Sequence, residues 1–255
     1  MLDNATISKL NDLGLFGMVS ALNDQFESTH FSSLSFEERL GLLVDCEIAN
    51  RDSKRLITRL KGAKLRHNAT IEDINFHSNR SLNKALIMNL GSSQWVNSKQ
   101  NILITGPTGV GKSYLACALA HSAIRNGHTA VYKLFSRLLR ELAIAKADGR
   151  YHRVLCQLLR FEVLIIDDFC LTQLKASETM DLMEVIEDRS ERRSTIVTSQ
   201  LPIKQWHQML SDPTMADAIL DRLIHNSHTI NLTGESMRKA KKSESSTIDQ
   251  IQESK

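Results

Sequence analysis

The sequence predicts an α/β protein: a parallel five-stranded sheet with helices on both faces, preceded by a small all-helical domain. Two observations carry the prediction. From Asn101 onward, short β-branched runs alternate with helical stretches, the pattern of strands joined by helical crossovers. Among them Val163-Leu164-Ile165-Ile166 is apolar without a break, which suits a strand covered on both faces. Residues 1–65, in contrast, show helical spacing and no strand-like run.

Taken in order, residues 5–29 place Leu10, Leu13, Val19 and Leu22 at helical spacing, with Leu15 and Met18 beside them. Ser35-Phe36-Glu37-Glu38 reads as a capping box, Ser35 as N-cap and Glu38 at the third helical position. It opens a helix that runs to about Ala63, with Gly62 weakening its last turn. Thr70-Ile71-Glu72-Asp73 starts a turn or short helix that leads onward. Strands are expected at 101–105, 128–134, 162–167, 194–199 and 228–232. The chain thus divides into a helical domain at 1–65, a sheet domain at 66–240 and a polar tail at 241–255.

Composition narrows the class. Over 255 residues, 42% are hydrophobic and three are proline, which fits a globular, helix-rich chain. A net charge of +3 does not by itself argue for nucleic acid, but its distribution is uneven. Between Arg51 and Arg66 stand seven basic residues (Arg51, Lys54, Arg55, Arg59, Lys61, Lys64, Arg66) against the single acid Asp52. This is either a solvated helix face or a surface for phosphates. The cysteines Cys46, Cys117, Cys156 and Cys170 lack the close pairs of a zinc site. The first three lie in apolar helical patterns and Cys170 follows a buried strand, so free thiols in a reducing compartment are expected. The N-terminus has no secretion signal, and no apolar run approaches the roughly 20 residues that span a bilayer. The expected setting is cytoplasmic, away from membranes.

Gly106-Pro107-Thr108-Gly109-Val110-Gly111-Lys112-Ser113 matches G-x-x-x-x-G-K-[ST] in full. An apolar strand leads in and a helical pattern (Leu115, Ala116, Leu119, Ala120, Ala123) leads out. Glycines let successive backbone N–H groups turn toward phosphate oxygens at the positive end of the following helix. Lys112 then meets the β- and γ-phosphates and the Ser113 hydroxyl meets Mg²⁺. The predicted nucleotide-binding set runs from Gly106 through Ser113 to Tyr114, and the predicted cofactors are ATP and Mg²⁺.

Such a cradle needs an acid for the metal, and Asp167-Asp168 supplies two at the end of an apolar strand. Asp167 suits the metal and Asp168 suits the attacking water, although two acids there also suit the cap of the next helix. The strand at 194–199 ends in Thr198 and Ser199, hydroxyls that fit either a water-positioning role or an ordinary strand end. Arg222 lies before the last strand and Arg238 after it. Each is a surface ion-pair partner or a group for the developing charge on phosphate, sometimes supplied in trans.

With these residues in view, the chain resembles the IstB-like helper ATPases of bacterial insertion sequences, relatives of the helicase loader DnaC in the AAA+ superfamily. The resemblance rests on ATIEDINF (69–76), NILITGPTGVGKS (101–113), ADGRYHRVLCQLLR (147–160), LIIDDF (164–169), EVIEDRSERRSTIVTSQLP (184–202), DPTMADAILDRLIHN (212–226) and GESMRK (234–239). It implies an AAA+ P-loop domain in which Asp167 binds Mg²⁺ and Asp168 is the catalytic acid, where glutamate is usual. It also implies Ser199, with Thr198 as rival, at sensor 1, Arg222 as an arginine finger for a neighbouring protomer and Arg238 as sensor 2 in cis. Cys170 stands where relatives often have glycine. Only 17 residues follow Arg238, fewer than a helical lid domain needs, which favours a nucleotide-switched clamp over a threading motor.

The function implied is an ATP-dependent DNA-binding helper of transposition, oligomeric through its ATP sites, with duplex DNA and a cognate transposase as partners. Its DNA candidates are Arg51, Lys54, Arg55, Arg59, Lys61, Lys64, Arg137, Arg140, Lys146, Arg150 and Arg153. A replicative helicase loader is the alternative within the family, and a small-molecule P-loop kinase the alternative outside it.

Overall fold

The computed structural model describes residues 2–76 and 81–237. It divides between Arg59 and Leu60 into two compact units. The first contains α1 (Leu2–Asp12), α2 (Phe16–Glu27), a 3₁₀ turn at Thr29–Ser33 and most of α3 (Phe36–Ala63). The helical pattern at 5–29 therefore resolves into two helices. Gly14 breaks it: its φ of 72° closes α1, with Gly14 N–H donating to Asn11 and Leu15 N–H to Leu10. The capping box forms as expected, Ser35 N–H reaching Glu38 at 2.8 Å and Glu38 N–H reaching Ser35 Oγ at 3.2 Å. Gly62 does not end α3.

The second unit begins with an irregular segment. Thr70 Oγ1 donates to Asp73 at 2.7 Å and Ile74 N–H bonds to Ile71, so the stretch is a turn. Helices α4 (Lys84–Gly91) and α5 (Gln94–Asn97) lead to the sheet. Its strands are β1 (Asn101–Thr105), β2 (Ala130–Leu134), β3 (Val163–Asp167), β4 (Ser194–Ser199) and β5 (Ser227–Asn231). All pairings are parallel, in the order β2-β3-β4-β1-β5. Between them lie α6 (Lys112–Arg125), α7 (Phe135–Ala147), α8 (Tyr151–Arg160), α9 (Ala176–Arg189), α10 (Ile203–Met209) and α11 (Pro213–Ile224).

Alternation along the strands builds two layers. Leu103, Leu164, Ile166 and Val197 join one core with Leu138, Leu142, Leu182, Val185, Ile219 and Leu223 from α7, α9 and α11. Helix α6 packs against β1 through β4. Both faces of the middle strands are thus covered, as their unbroken apolar runs predict.

Some details differ from expectation, and one buried cysteine has an unusual backbone. Strand β2 starts two residues late because Glu162 binds both His128 Nδ1 (2.9 Å) and Thr129 N–H (3.0 Å), engaging them before the ladder begins. All four cysteines are free, but Cys46 and Cys156 are exposed on the outer faces of α3 and α8 instead of lying in a core. Cys170 is buried with a φ of 51°, a conformation that glycine adopts without strain.

Arg189 fastens the strand starts. Its buried guanidinium donates to the carbonyls of Leu158 (2.8 Å), Phe161 (3.0 Å), Glu162 (3.4 Å) and Ser194 (2.5 Å), and to Thr195 Oγ1 at 3.2 Å. Burial and the nearby Arg193 charge depress its pKa to about 9, so it stays charged at neutral pH. Arg189→Met should leave several buried carbonyls without donors and cost about 3 kcal/mol. The matching fall in thermal midpoint is ~10 °C, measurable by circular dichroism. An unchanged midpoint would mean these carbonyls find other donors.

Candidate active site

The phosphate loop joins the end of β1 to the start of α6. Two of its glycines are fixed by contact as well as by backbone angle. A Cβ on Gly106 (φ 144°) would sit 2.2 Å from the Leu232 carbonyl oxygen. One on Gly109 (φ 87°) would sit 2.1 Å from Ser236 Oγ. The chain after β5 therefore lies directly on the loop, where Leu232 N–H bonds to Thr105 and Met237 N–H to Gly109. Thr108 Oγ1 donates to Gln200 at 2.6 Å, and the buried Lys112 donates from Nζ to the Pro107 carbonyl at 2.8 Å. Pro107 and Val110 complete the turn, Val110 fully buried, and Tyr114, half-buried in the first turn of α6, lies beside the His67 ring.

Asp167, at the end of β3, is buried and collects four donors. Ser113 Oγ reaches Oδ1 at 2.7 Å and Thr198 Oγ1 bonds to the same oxygen. Tyr132, from β2, bonds to Oδ2, which Arg66 Nη1 also approaches at 3.2 Å. Burial alone would push this carboxyl up. The hydrogen bonds from Thr198, Tyr132 and Ser113 and the Arg66 charge outweigh it, holding Asp167 below the usual carboxylate range. Burial and the bond to Asp167 push the Tyr132 hydroxyl well up, so it stays a donor. A hydroxyl and an ionised carboxylate beside a phosphate loop are hard oxygen donors and fit Mg²⁺. Among the described residues no group of three or more His, Cys, Asp or Glu side chains lies together as a metal-binding cluster.

Asp168 follows in the left-handed region (φ 58°), its N–H held by Thr198 Oγ1 at 3.2 Å. Its carboxylate is partly exposed and lies 4.0 Å from Arg66. Thr198 thus touches both acids. Ser199 does not: its hydroxyl donates to the Phe169 carbonyl at 2.8 Å and accepts Leu201 N–H, because alternate strand residues face opposite ways.

Arg222 lies away from its own loop. Its carbonyl accepts from Asn101 Nδ2 at 3.1 Å, at the start of β1. The loop follows the far end of that strand, about 13 Å away at the usual rise per residue. The Arg222 side chain binds Glu187 at 2.5 Å and the Ala218 carbonyl at 2.9 Å, in a groove of about 840 Å³ shared with Lys99, Asp221 and His225. Arg238 lies outside the described residues, one position after Met237.

The DNA candidates are exposed except Arg59, which is half-buried, and several are engaged. Arg51 pairs with Glu47, Arg55 with Asp52, Arg150 with Asp148, and Lys146 with Asp181. Lys54 lies 4.3 Å over the Phe16 ring. Arg59, Lys61, Lys64, Arg137, Arg140 and Arg153 make no ion pair with another described residue. The sequence reading missed Arg66, Tyr132 and Gln200 as site residues. Arg66 was visible only as part of the basic run, and Tyr132 only through strand pairing, which brings β2 beside β3.

Comparison with known proteins identifies the family and the fold. The family model described as IstB-like ATP binding protein matches residues 8–245. A Sinorhizobium fredii protein, y4pL, whose name assigns it to an insertion sequence and to ATP binding, is 46% identical over 239 residues, covering 94% of this chain and 98% of that one. A Mycobacterium tuberculosis protein similarly named, Rv3427c, is 34% identical over 241 residues, covering 94% and 96%. Among solved structures, the DnaC helicase loader superposes with a TM-score of 0.58 at 19% identity, over 67% of this chain and 99% of that one. DnaI gives 0.57 at 19%, over 65% and 92%, so both share the AAA+ P-loop fold. The chain belongs to the IstB-like ATP binding protein family.

Proposed function

We propose that this chain is a Mg²⁺-dependent ATPase that assembles on duplex DNA and assists a transposase. The observation that carries the reading is the Ser113–Asp167 contact beneath a complete phosphate loop. Ser113 and Asp167 would hold Mg²⁺, whose positive charge would offset the charge that develops on the phosphate oxygens. Lys112 adds a positive contact to the same oxygens. Asp168 orients the attacking water, and Thr198 fixes both acids through its single hydroxyl. This gives the sensor position to Thr198 in preference to Ser199. Arg238, one residue past the Met237–Gly109 contact, reads the γ-phosphate within the same chain.

Arg222 stands at the wrong end of β1 for its own nucleotide, which supports a role at a neighbour's. ATP held between two protomers favours assembly because it binds the joined state better than either protomer alone. Basic residues then meet the DNA backbone in largely sequence-independent, salt-sensitive contacts. Arg59, Lys61 and Lys64 on and after α3, with Arg137, Arg140 and Arg153 on α7 and α8, support this role best. Their charge is not spent on another described side chain. The relatives' names support the link to insertion sequences.

Two experiments test this reading. Arg222→Ala should bind ATP yet fail to assemble on DNA, as sized by light scattering, and should lose about 100-fold or more of its turnover. Mixed with Lys112→Ala, it should recover part of that turnover, since some interfaces then join an intact loop to an intact Arg222. A mixture that stays inactive while both variants fold and associate contradicts action in trans. In the second experiment, Thr198→Val should slow steady-state hydrolysis about tenfold or more. Ser199→Ala should leave hydrolysis near wild type and lower stability by about 1–2 kcal/mol. The reverse order of effects on hydrolysis would return the sensor role to Ser199.

A further inference from the structure

Arg66 has no place in the reaction just described, yet it touches both acids. It sits three residues after the end of α3, past Lys64 in the left-handed region, in a stretch without regular structure. Its guanidinium is 3.2 Å from Asp167, 4.0 Å from Asp168 and hydrogen-bonded to Tyr132, whereas Asp167 is 101 residues away in sequence. We propose that Arg66 is a latch in cis: its cation bridges Asp167 and Asp168 and opposes the divalent metal until nucleotide and metal together displace it.

The argument starts from capacity. An ionised carboxylate offers about four acceptor sites. On Asp167 these are taken by Ser113, Thr198, Tyr132 and Arg66. A metal reaches this carboxylate as donors give way. The Ser113 hydroxyl, itself a metal ligand in the proposed site, turns to the metal on the Oδ1 side, and on the Oδ2 side the choice lies between Tyr132 and Arg66. Thr198 is fully buried in β4, and Tyr132 is held by the sheet. The Arg66 side chain is 42% exposed and belongs to neither the sheet nor the loop, so it moves at least cost. Charge points the same way. Arg66 and a divalent cation would stand against one carboxylate, and like charges at that separation repel. The same guanidinium lies 4.0 Å from Asp168, the water-orienting acid, and pairs with its carboxylate. Departure of Arg66 would therefore free the metal ligand and the catalytic acid in one movement.

This inference rests on the proposed metal-dependent nucleotide site. Full-length wild type, Arg66→Gln and Arg66→Met are to be titrated with Mn²⁺ in the presence of a fluorescent ATP analogue. Bound metal is read by electron paramagnetic resonance and bound nucleotide by anisotropy. Both variants should reach half-saturation at about tenfold lower Mn²⁺ than wild type, roughly 1.4 kcal/mol. Arg66→Lys, which keeps the charge, should stay close to wild type. Midpoints in the Gln and Met variants equal to or above wild type overturn the latch. A higher midpoint would make Arg66 a supporting group for the metal. If wild type itself shows no metal-dependent nucleotide binding, the functional reading falls together with the latch.

Discussion

The site depends on one buried carboxylate. Asp167 ends β3 inside the protein and stays ionised only because four donors from four separate places converge on it. Ser113 comes from the loop helix, Thr198 from β4, Tyr132 from β2 and Arg66 from the segment after α3. An uncompensated charge there would be prohibitively costly. The strand order and the loop conformation are therefore coupled to the same group that suits a metal ion. Moving any one element disturbs both the charge balance and the phosphate cradle.

Much of this was legible in the sequence because it is local. The loop motif lies between a strand and a helix, and each is recognisable from a few neighbouring residues. The unbroken run at 163–166 reported a strand covered on both faces, and the paired acids marked its end. The capping box at Ser35 and Glu38 likewise needs only three residues of separation. The break at Gly14 was missed because helical spacing continues across it while the backbone does not.

What stayed hidden was long-range or set by orientation. Arg66 looked like one more member of a basic run, and nothing nearby marks it as a partner of Asp167. Thr198 and Ser199 are adjacent and chemically alike, and only the pleat of β4 decides which one faces the acids. The run from Arg51 to Arg66 illustrates the same limit. Four of its members have separate uses: Arg55 in a helix-surface ion pair, Arg51 in a pair to the buried Glu47, Lys54 in a ring contact and Arg66 beside Asp167 and Asp168. Summed charge concealed those separate uses.

The account stands on Asp167 being the ligand through which Mg²⁺ strengthens nucleotide binding. The direct measurement is calorimetric titration of ATP into wild type and into Asp167→Asn, each with Mg²⁺ and with a chelator. Asparagine keeps the shape and removes the charge, and circular dichroism checks that the variant folds. The account predicts that Mg²⁺ raises the wild-type affinity and that this gain vanishes in Asp167→Asn, with similar affinities in chelator. A variant that keeps the full gain from Mg²⁺ would contradict it.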